Sequence, residues 1–125
     1  MNRVIGIGGI FFKTKEPQKM RDWYKTHLGI PVEEWGWSFK WKDLSNSENQ
    51  GYTVWSPFLE TTNYFQPSEK QFMVNFIVEN LLELLEQLRK EDVQVMDKTE
   101  ESEFGKFGWI MDPEGNKIEL WEPIY

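Results

Sequence analysis

The apolar positions of the first half of the chain change from a strand pattern to a helix pattern. Residues 4–13 alternate and are rich in β-branched and aromatic side chains, which predicts a strand. Apolar residues then recur three and four positions apart, which predicts a helix that begins at Pro17 and ends at Gly29. This apolar stripe consists of Met20, Trp23, Tyr24 and Leu28. Three aromatic runs predict three short strands, at 32–35, 37–41 and 52–55.

The second half of the chain repeats this order of elements. Residues 72–78 form an apolar run that predicts a strand, and Asn80 with Glu83 forms a capping box that opens a second helix. The apolar stripe of this helix consists of Leu81, Leu84, Leu85 and Leu88. Three more strands are predicted, at 93–96, 107–111 and 117–121.

The two halves also match each other in sequence. Residues 10–12 match 74–76 at an offset of 64, and residues 52–57 match 118–123 at an offset of 66. A length of 125 residues suits one domain, so the chain is predicted to be a duplicated α+β domain of two tandem βαβββ modules. The predicted divisions are module one at about 1–58, a polar linker at 59–70 and module two at about 71–125.

Charge and cysteine content exclude several classes of function. The 21 acidic residues outnumber the 14 basic ones and give a formal net charge of -7, which disfavours nucleic acid and anionic membranes as partners. The absence of cysteine excludes disulfides, thiolate nucleophiles and cysteine-ligated metals. No targeting segment and no apolar stretch long enough to span a membrane is visible, so we expect a cytoplasmic protein.

Aromatic residues make up 16% of the chain, with seven tryptophans, nine phenylalanines and four tyrosines. Rings of this size contribute to the core or line a binding site. The aromatic content therefore predicts either a core built from large rings or a site lined by them.

Two motifs resemble those of a known superfamily. Trp23-Tyr24 precedes Leu28-Gly29, and the predicted turn 112–116, Asp-Pro-Glu-Gly-Asn, precedes Lys-Ile-Glu-Leu-Trp-Glu-Pro at 117–123. Over nearly the whole chain the sequence resembles the vicinal oxygen chelate superfamily, which includes glyoxalases, bleomycin-resistance proteins and extradiol dioxygenases. The resemblance implies an open eight-stranded sheet around a cavity, and a homodimer.

Catalytic members of that superfamily hold a divalent metal in the cavity. The resemblance places the four ligand positions at Gly9, Thr53, Met73 and Glu119, of which only Glu119 is a competent ligand. His27 is the only histidine, which excludes metal sites built from several histidines. We therefore expect no divalent metal and no other cofactor.

Strand alternation assigns residues to the two faces of the sheet. One face is predicted to pack on the helices and carries Ile10, Phe12, Tyr52, Val54, Val74, Phe76, Val78, Ile118 and Leu120. The other face mixes rings with a few polar groups, as ligand cavities do. Its predicted ligand-binding residues are Phe11, Thr53, Trp55, Met73, Asn75, Glu119 and Trp121.

These features predict a metal-independent small-molecule-binding protein of the glyoxalase and bleomycin-resistance type, with an aromatic or cationic ligand. Trp55 and Trp121 either sandwich that ligand or anchor the core or a dimer interface. Glu119 is the candidate catalytic residue, as a general acid or base, or else an ion-paired residue at the mouth of the sheet. The alternatives are a metal-dependent lyase, isomerase or dioxygenase of the same superfamily, and a partner-binding module without a cavity.

Overall fold

Two helices and eight strands are present in the computed structural model, which describes residues 3–42 and 50–124. The elements of the first half are β1 (Val4–Thr14), α1 (Pro17–Leu28), β2 (Trp37–Lys42) and β3 (Gln50–Leu59). Those of the second half are β4 (Phe72–Val78), α2 (Leu81–Lys90), β5 (Gln94–Val95), β6 (Glu100–Ser102), β7 (Gly105–Met111) and β8 (Lys117–Pro123).

All eight strands belong to one mixed sheet in the order β2-β3-β1-β4-β8-β7-β5, with β6 paired to β7. The first strands of the two halves, β1 and β4, are antiparallel neighbours at its centre. Each is parallel to the last strand of its own half, β1 to β3 and β4 to β8. The predicted α+β class with eight strands in one open sheet is confirmed and is consistent with two tandem βαβββ modules, although the described residues contribute three strands from the first half and five from the second.

The helices begin and end where the sequence predicts, but they are packed very differently. α2 buries all four leucines of its stripe against Val78 and Leu120 on the convex face of the sheet. Its capping residue Asn80 accepts a hydrogen bond from the Glu83 backbone N–H at 3.3 Å. α1 ends at Gly29 in the left-handed conformation, and none of its residues is buried. The convex face is therefore well covered only on the side of α2.

Two short segments differ from the sequence prediction. Residues 32–35 form no strand, because Glu33 and Gly36 exchange backbone hydrogen bonds and close a tight turn. Glu100–Ser102 is an additional strand. Its side chains are all exposed, and its backbone pairs with β7.

The predicted polar linker is also part of the core. Phe65 is fully buried in a cluster with Phe11, Met73 and Trp109. Lys13 donates a backbone hydrogen bond to the Gln71 carbonyl at 2.7 Å, which attaches the end of this segment to β1. Residues 59–70 therefore pack against the concave face of the sheet.

Within the described residues, neither helix has the length and hydropathy needed to cross a membrane.

Candidate functional site

The concave face of the sheet encloses a cavity of about 740 Å³. Most of its walls are aromatic, supplied by Phe11, Tyr52, Phe58, Tyr64, Phe107 and Trp121. Apart from the tyrosine hydroxyls, polar side chains are few: Asn75 and Glu119 are almost completely buried, Ser38 is half-buried, and Lys40 and Glu103 are exposed. This is the composition of a small-molecule site, in which apolar area supplies affinity and a few polar groups supply orientation.

The position of Glu119 follows from the register of four central strands. Val54 of β3 pairs with Gly9 of β1, Gly9 pairs with Asn75 of β4, and Asn75 pairs with Glu119 of β8. These four residues thus form one row across the middle of the sheet. Glu119 is only 2% exposed, so its carboxyl group is shielded from water.

Three neutral groups donate hydrogen bonds to the Glu119 carboxylate. The Tyr64 hydroxyl and the Trp109 indole N–H both donate to Oε1, the latter at 3.0 Å. The Asn75 amide Nδ2 donates to Oε2 at 2.6 Å. Hydrogen bonds to a charged acceptor are stronger than neutral ones, and here they replace the water that burial removes.

Opposing effects act on the pKa of the Glu119 carboxyl group. Burial, the largest effect, raises the pKa of Glu119, while the hydrogen bonds from Tyr64, Asn75 and Trp109 and the charge of Lys117 act in the opposite direction. Burial and the neighbouring carboxylate raise the pKa of the Tyr64 phenol, which keeps it a neutral donor. Glu119 is thus an acid of raised pKa at the base of an apolar cavity, a property common at functional sites.

Lys117 contacts two of the residues that donate hydrogen bonds to Glu119. Lys117 Nζ lies 5.4 Å from the ring centroids of both Tyr64 and Trp109, and it donates to the Tyr64 carbonyl at 2.7 Å. Its partial burial lowers the pKa of Lys117. The contacts fix the two rings whose polar hydrogens face Glu119.

The aromatic walls are held by stacking and by one further hydrogen bond. Trp121 stacks on Phe107 with centroids 5.8 Å apart and planes at 5°, and its indole N–H donates to the Phe104 carbonyl at 2.7 Å. Phe58 stacks on Tyr64 with centroids 5.7 Å apart. These rings form a preorganised apolar surface above the carboxylate.

Comparison with known proteins places the fold. No family model matches the sequence, and no curated protein matches it. Among solved structures, the chain is similar to a variant of Streptomyces coelicolor methylmalonyl-CoA epimerase in complex with 2-nitronate-propionyl-CoA, with a TM-score of 0.70, 14% identity and coverage of 98% of this chain and 99% of the other. Methylmalonyl-CoA epimerase from Mycobacterium tuberculosis gives a TM-score of 0.63 at 14% identity, covering 100% of this chain and 92% of the other.

The chain shares the fold of these epimerases. A crystal structure described as NAD-dependent benzaldehyde dehydrogenase from Legionella pneumophila is also similar, with a TM-score of 0.59, 16% identity and coverage of 93% of this chain and 98% of the other. At such low identities the likeness concerns the fold alone. The solved structures agree with the open eight-stranded sheet predicted from the sequence.

Within this fold, most of the predicted ligand-binding residues lie in or directly behind the cavity. Phe11, Asn75, Glu119 and Trp121 all line it. Met73 is fully buried behind the wall in the cluster with Phe65 and Trp109. The structure therefore brings together the residues predicted on β4 and β8 and one residue predicted on β1.

The predicted face of β3 is wrong. Trp55 lies on the convex side, where its ring packs on Phe12 and on Tyr24 of α1 at centroid distances of 5.4 and 4.5 Å. Thr53 lies on the same side and donates to the Ile7 carbonyl at 2.5 Å. The cavity-lining residues of β3 are instead Tyr52, Val54 and Phe58, and the first two of these are predicted from the sequence to lie on the core face. Both alternating sets in this strand contain an aromatic and a β-branched residue, so its pattern does not distinguish the faces.

Tyr64 and Trp109 are site residues that the sequence prediction missed. Trp109 stands opposite Glu119 in the β7–β8 hairpin, so the turn at 112–116 contained the signal needed to find it. Tyr64 lies in the connector, 55 positions from Glu119, and no sequence pattern relates the two.

The donor atoms of the site can be compared with the needs of a divalent metal. The row across the sheet offers one carboxylate and one amide, because its other members are Val54 and Gly9. Three hydrogen-bond donors already contact the carboxylate oxygens. Over residues 3–42 and 50–124, no group of three or more His, Cys, Asp or Glu side chains is placed to hold a metal ion. A hard cation requires several oxygen or nitrogen ligands, and this set does not fit one.

Proposed function

We propose that this chain is a metal-independent small-molecule-binding protein of the glyoxalase and bleomycin-resistance type, whose ligand is an aromatic cation. The observation that carries the proposal is the aromatic cavity with the buried Glu119 carboxylate at its base. Such a cavity matches a ligand that is apolar over most of its surface and charged at one end.

The walls and the charges both favour a cation. Tyr52, Phe107 and Trp121 offer ring faces on which a ligand ring stacks or a cation is attracted, an interaction worth about 0.5–2 kcal/mol. Glu103 at the cavity and the net charge of -7 increase the local concentration of cations. Lys40, which also contacts the cavity, is exposed, and water screens its charge.

The hydrogen bonds to Glu119 support metal independence. Tyr64 and Trp109 direct polar hydrogens at the same carboxylate oxygen, where a metal ion would need a lone pair. The proposal therefore assigns the carboxylate to direct recognition of the ligand.

A pair of isosteric probes tests the proposed preference for a cation. Trimethylphenylammonium is expected to bind at least about tenfold more tightly than tert-butylbenzene, because the two have the same shape and only the former is attracted by the rings and the carboxylate. Affinities are measured by NMR titration of the ¹⁵N-labelled protein. Trp121→Leu should reduce the preference, whereas Trp23→Leu, which removes an exposed ring of α1, should leave it unchanged. Equal affinities for the two probes would refute the cation proposal.

One observation favours an enzyme as the second candidate. Burial raises the pKa of Glu119, and a raised carboxyl pKa is a property that general acids and bases share. A proton-transfer reaction next to a carbonyl group would then use this carboxyl. Glu119→Gln separates the candidates, since an enzyme would lose turnover while an uncharged ligand would bind with little change.

We further propose a homodimer formed through the convex face. Ile7, Ile10 and Phe72 on the central strands are 46%, 38% and 47% exposed, although strands at the centre of a sheet are usually covered. A second copy offers the same apolar strip, and a twofold axis pairs the two strips.

Sedimentation velocity tests the dimer. Wild-type protein is expected to sediment as a dimer and Ile10→Lys as a monomer, because the substitution buries a charge in the proposed interface. Leu82→Lys on the exposed side of α2 is the matched control and should remain dimeric. A monomeric wild-type protein would exclude this interface.

A further inference from the structure

Asn75 is buried with only half of its amide satisfied. The side chain is 1% exposed, and its Nδ2 donates to Glu119 Oε2 at 2.6 Å. Its Oδ1 accepts no hydrogen bond from any described residue. A buried acceptor without a partner destabilises the folded state, so such atoms are rare and call for a physical explanation.

The orientation of the amide follows from its neighbour. An ionised carboxylate accepts hydrogen bonds and cannot donate, so with Glu119 ionised Nδ2 faces it and Oδ1 points the other way. Oδ1 then lies against Gly8, where it overlaps the position that a β-carbon would occupy. The same position is 3.0 Å from Cε3 of Trp121, and Gly8, Asn75 and Trp121 all line the cavity.

Glu119 also retains unused acceptor capacity. A carboxylate has about four lone-pair sites, and here Oε1 accepts two donors while Oε2 accepts one. One site on Oε2 therefore has no donor among the described residues. Asn75 Oδ1, on the far side of the amide, is a second acceptor without a donor, and both residues line the cavity.

We infer that the charged end of the ligand carries N–H groups, as a primary ammonium or amidinium does, and that Asn75 selects such a head by accepting a hydrogen bond through Oδ1. This inference rests on the proposed function, because it specifies the head group of the proposed cation. A quaternary ammonium satisfies the charge and the rings but leaves Oδ1 without a donor. Asn75 is thus the residue that distinguishes the two kinds of cation.

We expect the site to prefer a primary ammonium over a quaternary one, whereas differences in hydration alone would favour the quaternary ion. A primary ammonium is more strongly hydrated than a quaternary one, so a cavity without free acceptors favours the quaternary ion. Hydrogen bonds to charged groups contribute about 1.5–3 kcal/mol, which corresponds to roughly a tenfold or greater preference for the primary ion.

Benzylammonium and benzyltrimethylammonium provide the test, because they share ring, charge and linker. NMR titration of wild-type protein is expected to show benzylammonium binding at least about tenfold more tightly, with a shift of the Asn75 side-chain amide resonances. Asn75→Leu should reverse or remove the preference mainly by weakening benzylammonium. The wild-type ratio needs no variant, so the test stands even if Asn75→Leu does not fold.

The outcomes separate this inference from the proposed function. Equal or weaker binding of benzylammonium, with trimethylphenylammonium still preferred over tert-butylbenzene, overturns the role of Asn75 and leaves the cation site in place. Loss of both preferences overturns the two proposals together. A preference for benzylammonium that persists unchanged in a folded Asn75→Leu protein contradicts the assignment to Oδ1.

Discussion

Replacing Glu119 with alanine is expected to lower the free energy of unfolding by about 2–4 kcal/mol. The substitution leaves the polar hydrogens of Tyr64, Trp109 and Asn75 buried without an acceptor. Each orphaned group costs about 1–3 kcal/mol, and the cost is partly offset because a buried carboxylate no longer has to be desolvated. Urea denaturation measures the difference.

Glu119→Gln is the matched variant and should cost less than about 1 kcal/mol. Its carbonyl oxygen accepts from Tyr64 and Trp109, and its amide faces Asn75, which can turn and present Oδ1. Stability of the alanine variant equal to that of wild type would mean that the network does not stabilise the fold.

The stability of wild type relative to Glu119→Gln is expected to depend on pH, and the pKa of Glu119 gives the sign of that dependence. Because burial raises the pKa of Glu119 in the folded state, folding favours the protonated form. The resulting stability is complete below the pKa of the unfolded chain and is lost as pH rises through the raised pKa of the folded state. Wild type should therefore lose stability relative to Glu119→Gln over that interval, measured by urea denaturation at a series of pH values. A constant difference would contradict the raised pKa.

Gly105→Ala is expected to destabilise the protein by more than about 3 kcal/mol, or to prevent folding. Gly105 has a φ of 121°, and a β-carbon there would overlap the backbone carbonyl oxygen of Glu122. Gly36 has a φ of 124° and the same overlap, with the carbonyl oxygen of Trp55. Gly36 directly precedes β2 and Gly105 is the first residue of β7, and each approaches the backbone of the neighbouring strand, so Gly36→Ala is expected to have a similar effect.

Gly29→Ala is the control for this prediction. Gly29 also has positive φ, at 70°, but nothing lies within 4 Å of its β-carbon position. Only backbone strain is added, at a cost of about 1–2 kcal/mol. Thermal and chemical denaturation of the three variants would refute the close-approach argument if Gly105→Ala were no less stable than Gly29→Ala.

Much of the fold was predictable because it depends on local patterns. The apolar stripes of α1 and α2 specify helices by their spacing, and Gly29 and Asn80 mark the ends where they occur. The hairpin of β7 and β8 follows from the turn at 112–116, in which Asp112 accepts backbone hydrogen bonds from Glu114 and Asn116. Neither prediction requires knowledge of distant contacts.

The sequence by itself determined the two modules, their helices and the carboxylate at position 119, since these depend on residue spacing within one element or one hairpin. Only the tertiary structure decided which face of β3 meets the cavity, because the register with β1 sets that face and the alternation of β3 suits either one. The tertiary structure also decided the environment of Glu119. Tyr64 lies in the connector 59–70, and the burial of Phe65 in the same connector positions it beside the carboxylate. Side chains distant in sequence converge only when the core is packed, and the chemistry of this carboxyl group depends on that convergence.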